Sequence, residues 1–254
     1  MNYNELLNIG LEASIKSGEK IMEVYENTKN IKYKKKSDNS PLTIADKKSH
    51  NIINTFLKKT KLNIISEESN VRDFKIRKNW KYYWLVDPLD GTKEFIKKNG
   101  EFTVNIALVK KNKPIIGIVY CPVNKTLYWN HPEKGAFKKK NKTIKLKKRK
   151  SIDFNQANLR VITSRSHMNS KTENFISKLK SPKTIACGSS LKLLFLTENK
   201  ADVYPRFGPT MEWDTAAAHA IANSANVKLF DTKKKKEIFY NKKNLLNPFF
   251  IAHS

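Results

Sequence analysis

The chain has 254 residues, 39% of them hydrophobic, with 50 Lys plus Arg against 23 Asp plus Glu. This length and apolar content suffice for one large or two small globular domains. No apolar run approaches the roughly 20 residues that cross a bilayer, and acidic residues within the N-terminal helical pattern argue against a secretory signal. Two cysteines cannot form a disulfide framework. We therefore expect a cytoplasmic protein.

The formal net charge of +27 has two interpretations. Of the basic residues, 44 are lysines and six are arginines, spread along the chain among many Asn and Ile. This pattern is typical of A/T-rich coding, whereas a nucleic-acid binder would show arginines and basic clusters interleaved with aromatic residues. The alternative is a functional surface that attracts polyanions and speeds the arrival of phosphorylated substrates. Loose binding to anionic lipid on the cytoplasmic face of the inner membrane stays open.

Hydrophobic periodicity predicts a helix and strand order for the first half of the chain. Helices are predicted at about residues 1–30 and 44–59. Strands are predicted at 62–65, 82–86, 103–110 and 114–120, the last two joined by a polar turn, and a β-rich stretch follows over 128–137. The lysine-dominated residues 138–150 indicate an exposed hairpin or a domain connector.

The pattern then changes to alternating strands and helices. Strands are predicted at 159–163, 183–186 and 201–205, and helices at 170–180, 190–197 and 214–225. We therefore predict two subdomains: an α+β unit over residues 1–155 that carries most of the acidic site residues, and an α/β unit over residues 156–254.

Acidic residues recur where predicted strands or helices end. A carboxylate beside an apolar strand end needs a cation or hydrogen-bond donors to offset its lost hydration. The turn Asp87-Pro88-Leu89-Asp90-Gly91-Thr92 follows such a strand, and its proline and glycine allow both carboxylates and the Leu89 carbonyl to face one space. Hard oxygen ligands on a tight loop suit Mg²⁺. A solvated turn with an Asp cap is the alternative for this hexapeptide alone.

Longer motifs resemble a known family. The hexapeptide resembles the signature of the inositol monophosphatase superfamily, which comprises Mg²⁺-dependent, lithium-sensitive phosphatases. Residues 213–221 resemble its second signature, and Ser66-Glu67-Glu68 precedes both with the expected order and spacing. The bacterial 3′(2′),5′-bisphosphate nucleotidase branch is similar in four further segments, at residues 84–105, 164–167, 188–192 and 204–209.

This resemblance runs from about residue 5 to residue 248 and implies a fold, a cofactor and a metal site. The implied fold is α+β, a layered αβαβα sandwich of the sugar-phosphatase type, with two or three Mg²⁺ ions per active site. The implied metal ligands are Glu67, Asp87, Asp90, Asp214 and the Leu89 carbonyl. Glu67 would also hold the attacking water, and the Thr92 hydroxyl, oriented by Asp46, would help to deprotonate it.

The resemblance also implies a substrate site. Substrate contacts are expected from Asp90, Gly91, Thr92, His167, Ser189, Lys192, Arg206 and Asp214. Residue chemistry alone leaves alternatives open: an Asp at position 214 is a typical helix N-cap, a serine at 189 or 190 could cap the next helix, and His167 and Arg206 could lie on surface loops.

Three further side chains have no assigned role in catalysis. His219 lies in the middle of its predicted helix, and we expect it to pack against a neighbouring element. Glu68 is expected behind the metal ligands or in solvent. The direction of the Glu212 side chain is left open.

The expected activity is Mg²⁺-dependent hydrolysis of the 3′-phosphate of adenosine 3′,5′-bisphosphate, with 3′-phosphoadenylyl sulfate as a second substrate, which would link the chain to sulfate assimilation. An inositol monophosphatase or fructose-1,6-bisphosphatase of the same superfamily is the alternative. A further alternative is a basic protein that binds nucleic acid. We expect a small nucleotide as partner, no specific nucleic acid, and a monomer or homodimer.

Overall fold

A computed structural model describes residues 1–28, 31–35, 41–165 and 168–254. The α-helices in these ranges are α1 (Tyr3–Asn27), α2 (Ile44–Leu57), α3 (Phe74–Arg77), α4 (Thr92–Ile96), α5 (Ser170–Ser177), α6 (Leu191–Thr197) and α7 (Glu212–Ser224). The strands of the first half are β1 (Tyr33–Lys35), β2 (Pro41–Thr43), β3 (Asn63–Ser66), β4 (Tyr82–Asp90), β5 (Thr103–Lys110), β6 (Lys113–Cys121), β7 (Thr126–His131), β8 (Gly135–Lys139) and β9 (Thr143–Lys145). Those of the second half are β10 (Arg160–Ser164), β11 (Lys183–Cys187), β12 (Val203–Arg206), β13 (Lys228–Asp231) and β14 (Phe250–His253).

Two large sheets organise the chain. The first has seven strands in the order β3-β4-β5-β6-β7-β8-β9, in which only the β3–β4 pair is parallel. The second has five strands in the order β11-β10-β12-β14-β13, with parallel pairing of β10 to both β11 and β12. Because parallel neighbours end at the same edge of a sheet, the residues that follow β3 lie beside the end of β4.

The helices form layers around and between these sheets. Helices α1 and α2 cover one face of the seven-stranded sheet, where Trp84 and Ile118 are fully buried. Helices α6 and α7 fill the space between the two sheets, and α5 covers the outer face of the five-stranded sheet. The order helix, sheet, helix, sheet, helix confirms the predicted αβαβα sandwich.

Helix α7 lies directly on the seven-stranded sheet. A Cβ atom at Gly117 of β6 would be 1.9 Å from the Ala217 carbonyl oxygen, so only glycine allows this approach. The alanines on the same side of α7 are buried. This contact sets the height of α7 over the sheet and hence the position of the residues in its first turn.

The structure confirms most of the predicted elements and changes some boundaries. Residues 138–145 form the end of the β8–β9 hairpin. Of the two interpretations of the lysine-rich segment, the hairpin is therefore the correct one for these residues. The helix predicted at 170–180 ends at Ser177, because Leu179 donates to Ile176 three residues back and the chain winds more tightly there.

Several short elements were missed, namely β1, β2, α3, α4, β13 and β14. They are three to five residues long, too short for a periodic signal. The division at residue 155 stays a prediction, although each large sheet takes its strands from one side of it. Within the described ranges no helix is both long enough and apolar enough to span a membrane.

Candidate active site

The predicted hexapeptide forms the turn at the end of β4. The pairing of β4 with β5 is irregular between Asp87 and Asp90, and the Leu89 N–H donates to Asp87 Oδ1 at 3.0 Å. Gly91 has a φ of +90°, and a Cβ there would lie 2.9 Å from the Glu101 carbonyl oxygen. The positive φ of Gly91 is a local reason for glycine at this turn, and the close approach of residue 101 is a second, tertiary one.

Three carboxylates from distant segments meet at this turn. Glu67 follows β3, and its N–H donates to the Val86 carbonyl of β4 at 3.1 Å. Asp214 comes from the first turn of α7. One oxygen each of Glu67, Asp87 and Asp214 lies within 4.8 Å of the others. Asp90 lines the same cleft without belonging to this trio.

Burial and nearby negative charges make Asp87 and Asp214 unusually weak acids. Burial raises the pKa of Asp87 well above its ordinary value, and the charges of Glu67 and Asp90 raise it further. The pKa of Asp214 is raised for the same reasons, although the Met211 N–H lowers it. Carboxylates held this close ionise together only if a cation offsets their repulsion. An all-oxygen donor set of this kind fits a hard divalent cation.

Thr92 and Asp46 are in contact, as the predicted pair requires. Thr92 Oγ1 lies 3.2 Å from Asp46 Oδ1 and 3.2 Å from the Leu89 carbonyl oxygen, so it can donate to either. Asp46 is the third residue of α2, and its other oxygen accepts from the Thr43 N–H at 2.7 Å. The capping box at the start of α2 thus holds the Asp46 side chain, which is 2% exposed.

Two cationic side chains, Lys192 and Arg206, also line the cleft, and we term this part of the lining the cationic wall. Lys192, in the first turn of α6, is 9% exposed and donates to the Ser189 carbonyl at 2.5 Å. Arg206, at the end of β12, donates to the Pro209 carbonyl, and its Nε is buried without a partner. Burial raises the pKa of Asp90 to about 6, while Lys192 counteracts this shift. The charge of Lys192 therefore favours the ionised form of Asp90, which forms with Glu67, Asp87 and Asp214 what we term the acidic floor of the cleft.

The cleft has a volume of about 580 Å³. It is lined by all but two of the predicted site residues: Asp46 lies behind Thr92, and His167 lies outside the described residues. The cleft also has lining residues that were not predicted as site residues, namely Pro41, Lys93, Glu94, Ser164, Gly188, Ser190, Leu193, Tyr204, Pro209, Thr210, Met211, Trp213, Thr215 and Leu246. Nine of these residues lie in the matching motifs, which was the available signal: Lys93, Glu94, Ser164, Gly188, Ser190, Tyr204, Pro209, Trp213 and Thr215.

The structure also answers three open questions. Asp214 is the third residue of α7 and not its N-cap; its Oδ2 accepts from the N–H of Met211, the actual cap residue, at 2.8 Å. His219 is fully buried and contacts Tyr240, which confirms packing. Glu212 is fully buried and bonds to residues 241 and 242.

The serine-cap alternative is partly borne out. Ser190 is the N-cap residue of α6, yet its side chain makes no capping hydrogen bond. Its hydroxyl instead donates to Asn105 at 2.9 Å.

Five alternating layers, with carboxylates from the ends of β3 and β4 and from the first turn of α7 in one cleft, are the fold of the sugar-phosphatase type. The chain belongs to the inositol monophosphatase family, which matches residues 2–250.

Similar proteins support this assignment. The protein named 3′(2′),5′-bisphosphate nucleotidase CysQ from Salmonella typhimurium LT2 is 42% identical over 236 residues, which cover 92% of this chain and 94% of the relative. The protein of the same name from Buchnera aphidicola of Acyrthosiphon pisum is 44% identical over 222 residues, covering 84% and 79%. The crystal structure of CysQ from Bacteroides thetaiotaomicron, a bacterial member of the inositol monophosphatase family, superimposes with a TM-score of 0.85 at 42% identity, covering 98% and 97%.

Proposed function

We propose that the chain is a Mg²⁺-dependent 3′(2′),5′-bisphosphate nucleotidase. It would convert adenosine 3′,5′-bisphosphate to AMP and phosphate, and 3′-phosphoadenylyl sulfate to adenylyl sulfate and phosphate. The observation that carries this proposal is the pairing of an acidic trio with buried Lys192 and Arg206 in one cleft. Relatives at 42–44% identity are named for this activity.

The acidic floor would hold the metal. Glu67, Asp87, Asp90, Asp214 and the Leu89 carbonyl are the candidate ligands, enough for two or three ions. Bound Mg²⁺ would supply positive charge that makes water more acidic and neutralises the phosphate oxygens. The bound metals would contact only the phosphate that is removed. The carboxylates that hold them would therefore not distinguish a nucleotide from another phosphate ester.

Thr92 and Asp46 would move the proton of the attacking water. Because Thr92 Oγ1 donates to Asp46, its lone pairs are available to accept a hydrogen bond from the water. As the water oxygen bonds to phosphorus, the Thr92 oxygen takes the water proton and passes its own to Asp46. The bond from phosphorus to the ribose 3′-oxygen breaks, and that oxygen takes a proton from solvent. No side chain becomes phosphorylated.

The cationic wall would hold the rest of the substrate. Lys192 and Arg206 would bind the second phosphate or the ribose, and charge-assisted hydrogen bonds are about twice as strong as neutral ones. The ring of Tyr204 lies beside Lys192, with the ammonium 5.8 Å from its centroid, and offers an apolar surface to the base.

A substrate panel tests the proposal. Phosphate release would be measured from adenosine 3′,5′-bisphosphate, inositol 1-phosphate, fructose 1,6-bisphosphate and AMP, each with Mg²⁺ and with EDTA. The proposal predicts the highest kcat/KM for adenosine 3′,5′-bisphosphate. It also predicts no phosphate release from any substrate when EDTA removes the metal. A preference for inositol 1-phosphate or fructose 1,6-bisphosphate would assign the chain to another activity of its family.

A further inference from the structure

The first turn of α7 is also held by contacts of the buried Glu212 side chain outside the cleft. Glu212 is fully buried; its Oε2 accepts from the Asn241 N–H at 2.7 Å and its Oε1 from the Lys242 N–H at 3.0 Å. The Lys242 ammonium also pairs with Oε1. Three donors therefore converge on one carboxylate, a geometry that an amide side chain cannot reproduce.

Glu212 and Asp214 leave α7 on different sides. Successive residues of an α-helix are rotated by about 100°, so residues two apart point roughly 160° away from each other. Asp214 faces the acidic trio, and Glu212 is bonded to the chain segment 241–242. Any rotation of this helical turn that breaks the Glu212 bonds also turns the Asp214 carboxylate away from Glu67 and Asp87.

A second contact holds the residues next to Glu212. The Asn247 amide donates to the Met211 carbonyl at 2.8 Å and to Thr215 Oγ1 at 3.0 Å. The Glu212 N–H donates to the Leu245 carbonyl at 2.9 Å. Residues 241–247, which we term the C-terminal clamp, thus grip both sides of the start of α7.

The C-terminal clamp is also tied to the segment that leads into β4. Arg77 is 2% exposed and donates to the Asn241 side chain at 2.6 Å, while the Asn241 amide returns a bond to the Arg77 carbonyl at 2.7 Å. Arg77 ends α3, five residues before β4, which delivers Asp87. Strand β4 carries Asp87 and helix α7 carries Asp214. The C-terminal clamp therefore connects these two elements outside the cleft.

We infer that Glu212, through its bonds to residues 241 and 242, is a positioning residue that sets the direction of the Asp214 carboxylate for cation binding. This inference rests on the proposed function, in which Asp214 is a metal ligand. Glu212 itself touches neither the metal nor the substrate. Its effect is expected on Mg²⁺ affinity rather than on recognition of the nucleotide.

The test compares Glu212→Gln with Glu237→Gln. Glu237 accepts from His219 and Asn223, so it also anchors α7, but at residues about 7 to 14 Å further along the helix than Asp214. Titration with MgCl₂ alone, by calorimetry and by the unfolding midpoint against Mg²⁺ concentration, measures affinity without turnover. We expect at least tenfold weaker Mg²⁺ binding in Glu212→Gln and less than twofold change in Glu237→Gln.

Kinetics provide a second readout. For Glu212→Gln the Mg²⁺ concentration that gives half-maximal turnover should rise in parallel with the dissociation constant. At saturating Mg²⁺, KM for adenosine 3′,5′-bisphosphate should change less than threefold. A large increase in KM with unchanged Mg²⁺ affinity would overturn the inference.

Each outcome distinguishes the inference from the proposed function. If the unaltered chain does not bind Mg²⁺, the proposed function fails and the inference with it. If the unaltered chain binds Mg²⁺ and Glu212→Gln binds it equally well, Glu212 only stabilises the fold. Should Glu212→Gln not fold, Lys242→Met, which removes the ammonium paired with Glu212 Oε1, takes its place: at least threefold weaker Mg²⁺ binding supports the inference, and unchanged binding overturns it.

Discussion

Replacement of Lys192 by alanine should separate nucleotide recognition from phosphate hydrolysis. The Lys192 ammonium is 9% exposed and lies in the cationic wall of the cleft. Removing a charge-assisted hydrogen bond to a phosphate costs on the order of 1.5–3 kcal/mol. At about 1.4 kcal/mol per decade, kcat/KM for adenosine 3′,5′-bisphosphate should fall roughly 10- to 150-fold. Hydrolysis of a small monophosphate should change little.

The charge of Lys192 has a second effect that the assay must separate. Lys192 lowers the pKa of Asp90, so Lys192→Ala raises that pKa above about 6 and weakens the acidic floor near neutral pH. Assays at pH 8 and saturating Mg²⁺ keep Asp90 ionised, and the ratio of kcat/KM between the two substrates cancels any remaining effect. Lys200→Ala, an exposed lysine beyond the other end of α6, controls for the lost charge.

Equal losses on both substrates would refute this reasoning. Lys192 would then support the fold or the metal site, and the division of the cleft into an acidic floor and a nucleotide wall would be wrong. An unchanged kcat/KM for the bisphosphate would show that Lys192 makes no contact with the substrate.

Three further predictions concern the acidic floor. Asp90→Asn should abolish Mg²⁺-dependent turnover, because an amide replaces a charged oxygen ligand; near-normal kcat at saturating Mg²⁺ would contradict this. Thr92→Ala should lower kcat far more than it raises KM, and Thr92→Ser should restore much of the rate, as steady-state kinetics will show. The third prediction concerns stability in EDTA. Between pH 3.8, the ordinary pKa of Asp, and about pH 6, Asp90 is protonated in the native chain and ionised in the unfolded chain. The free energy of unfolding should therefore fall as the pH rises through this window. Urea unfolding at pH 4 and pH 7 should show a loss of stability that is larger in the unaltered chain than in Asp90→Asn by about 2 kcal/mol. An equal loss would refute the Asp90 shift.

The sequence by itself determined the local parts of the site. Pro88 and Gly91 shape the turn that carries Asp87 and Asp90, because their backbone preferences act over neighbouring residues and need no tertiary contact. Hydrophobic periodicity predicted most of the helices and strands, and the resemblance of the motifs implied the layered fold. Backbone preferences and periodicity involve residues that are close in sequence, and the motifs are recognised by their resemblance. Both kinds of signal are present in the sequence without the structure.

Only the tertiary structure shows how the distant residues that the resemblance grouped come to lie in one site. Glu67 reaches Asp87 because β3 and β4 are parallel neighbours, and Asp214 joins them because α7 packs against Gly117 of the same sheet. The sequence left the roles of Asp214 and Glu212 open, since both are acidic residues in one helical turn. Their surroundings differ because a helix turns about 100° per residue, so that Asp214 enters the cleft and Glu212 is buried against residues 241 and 242.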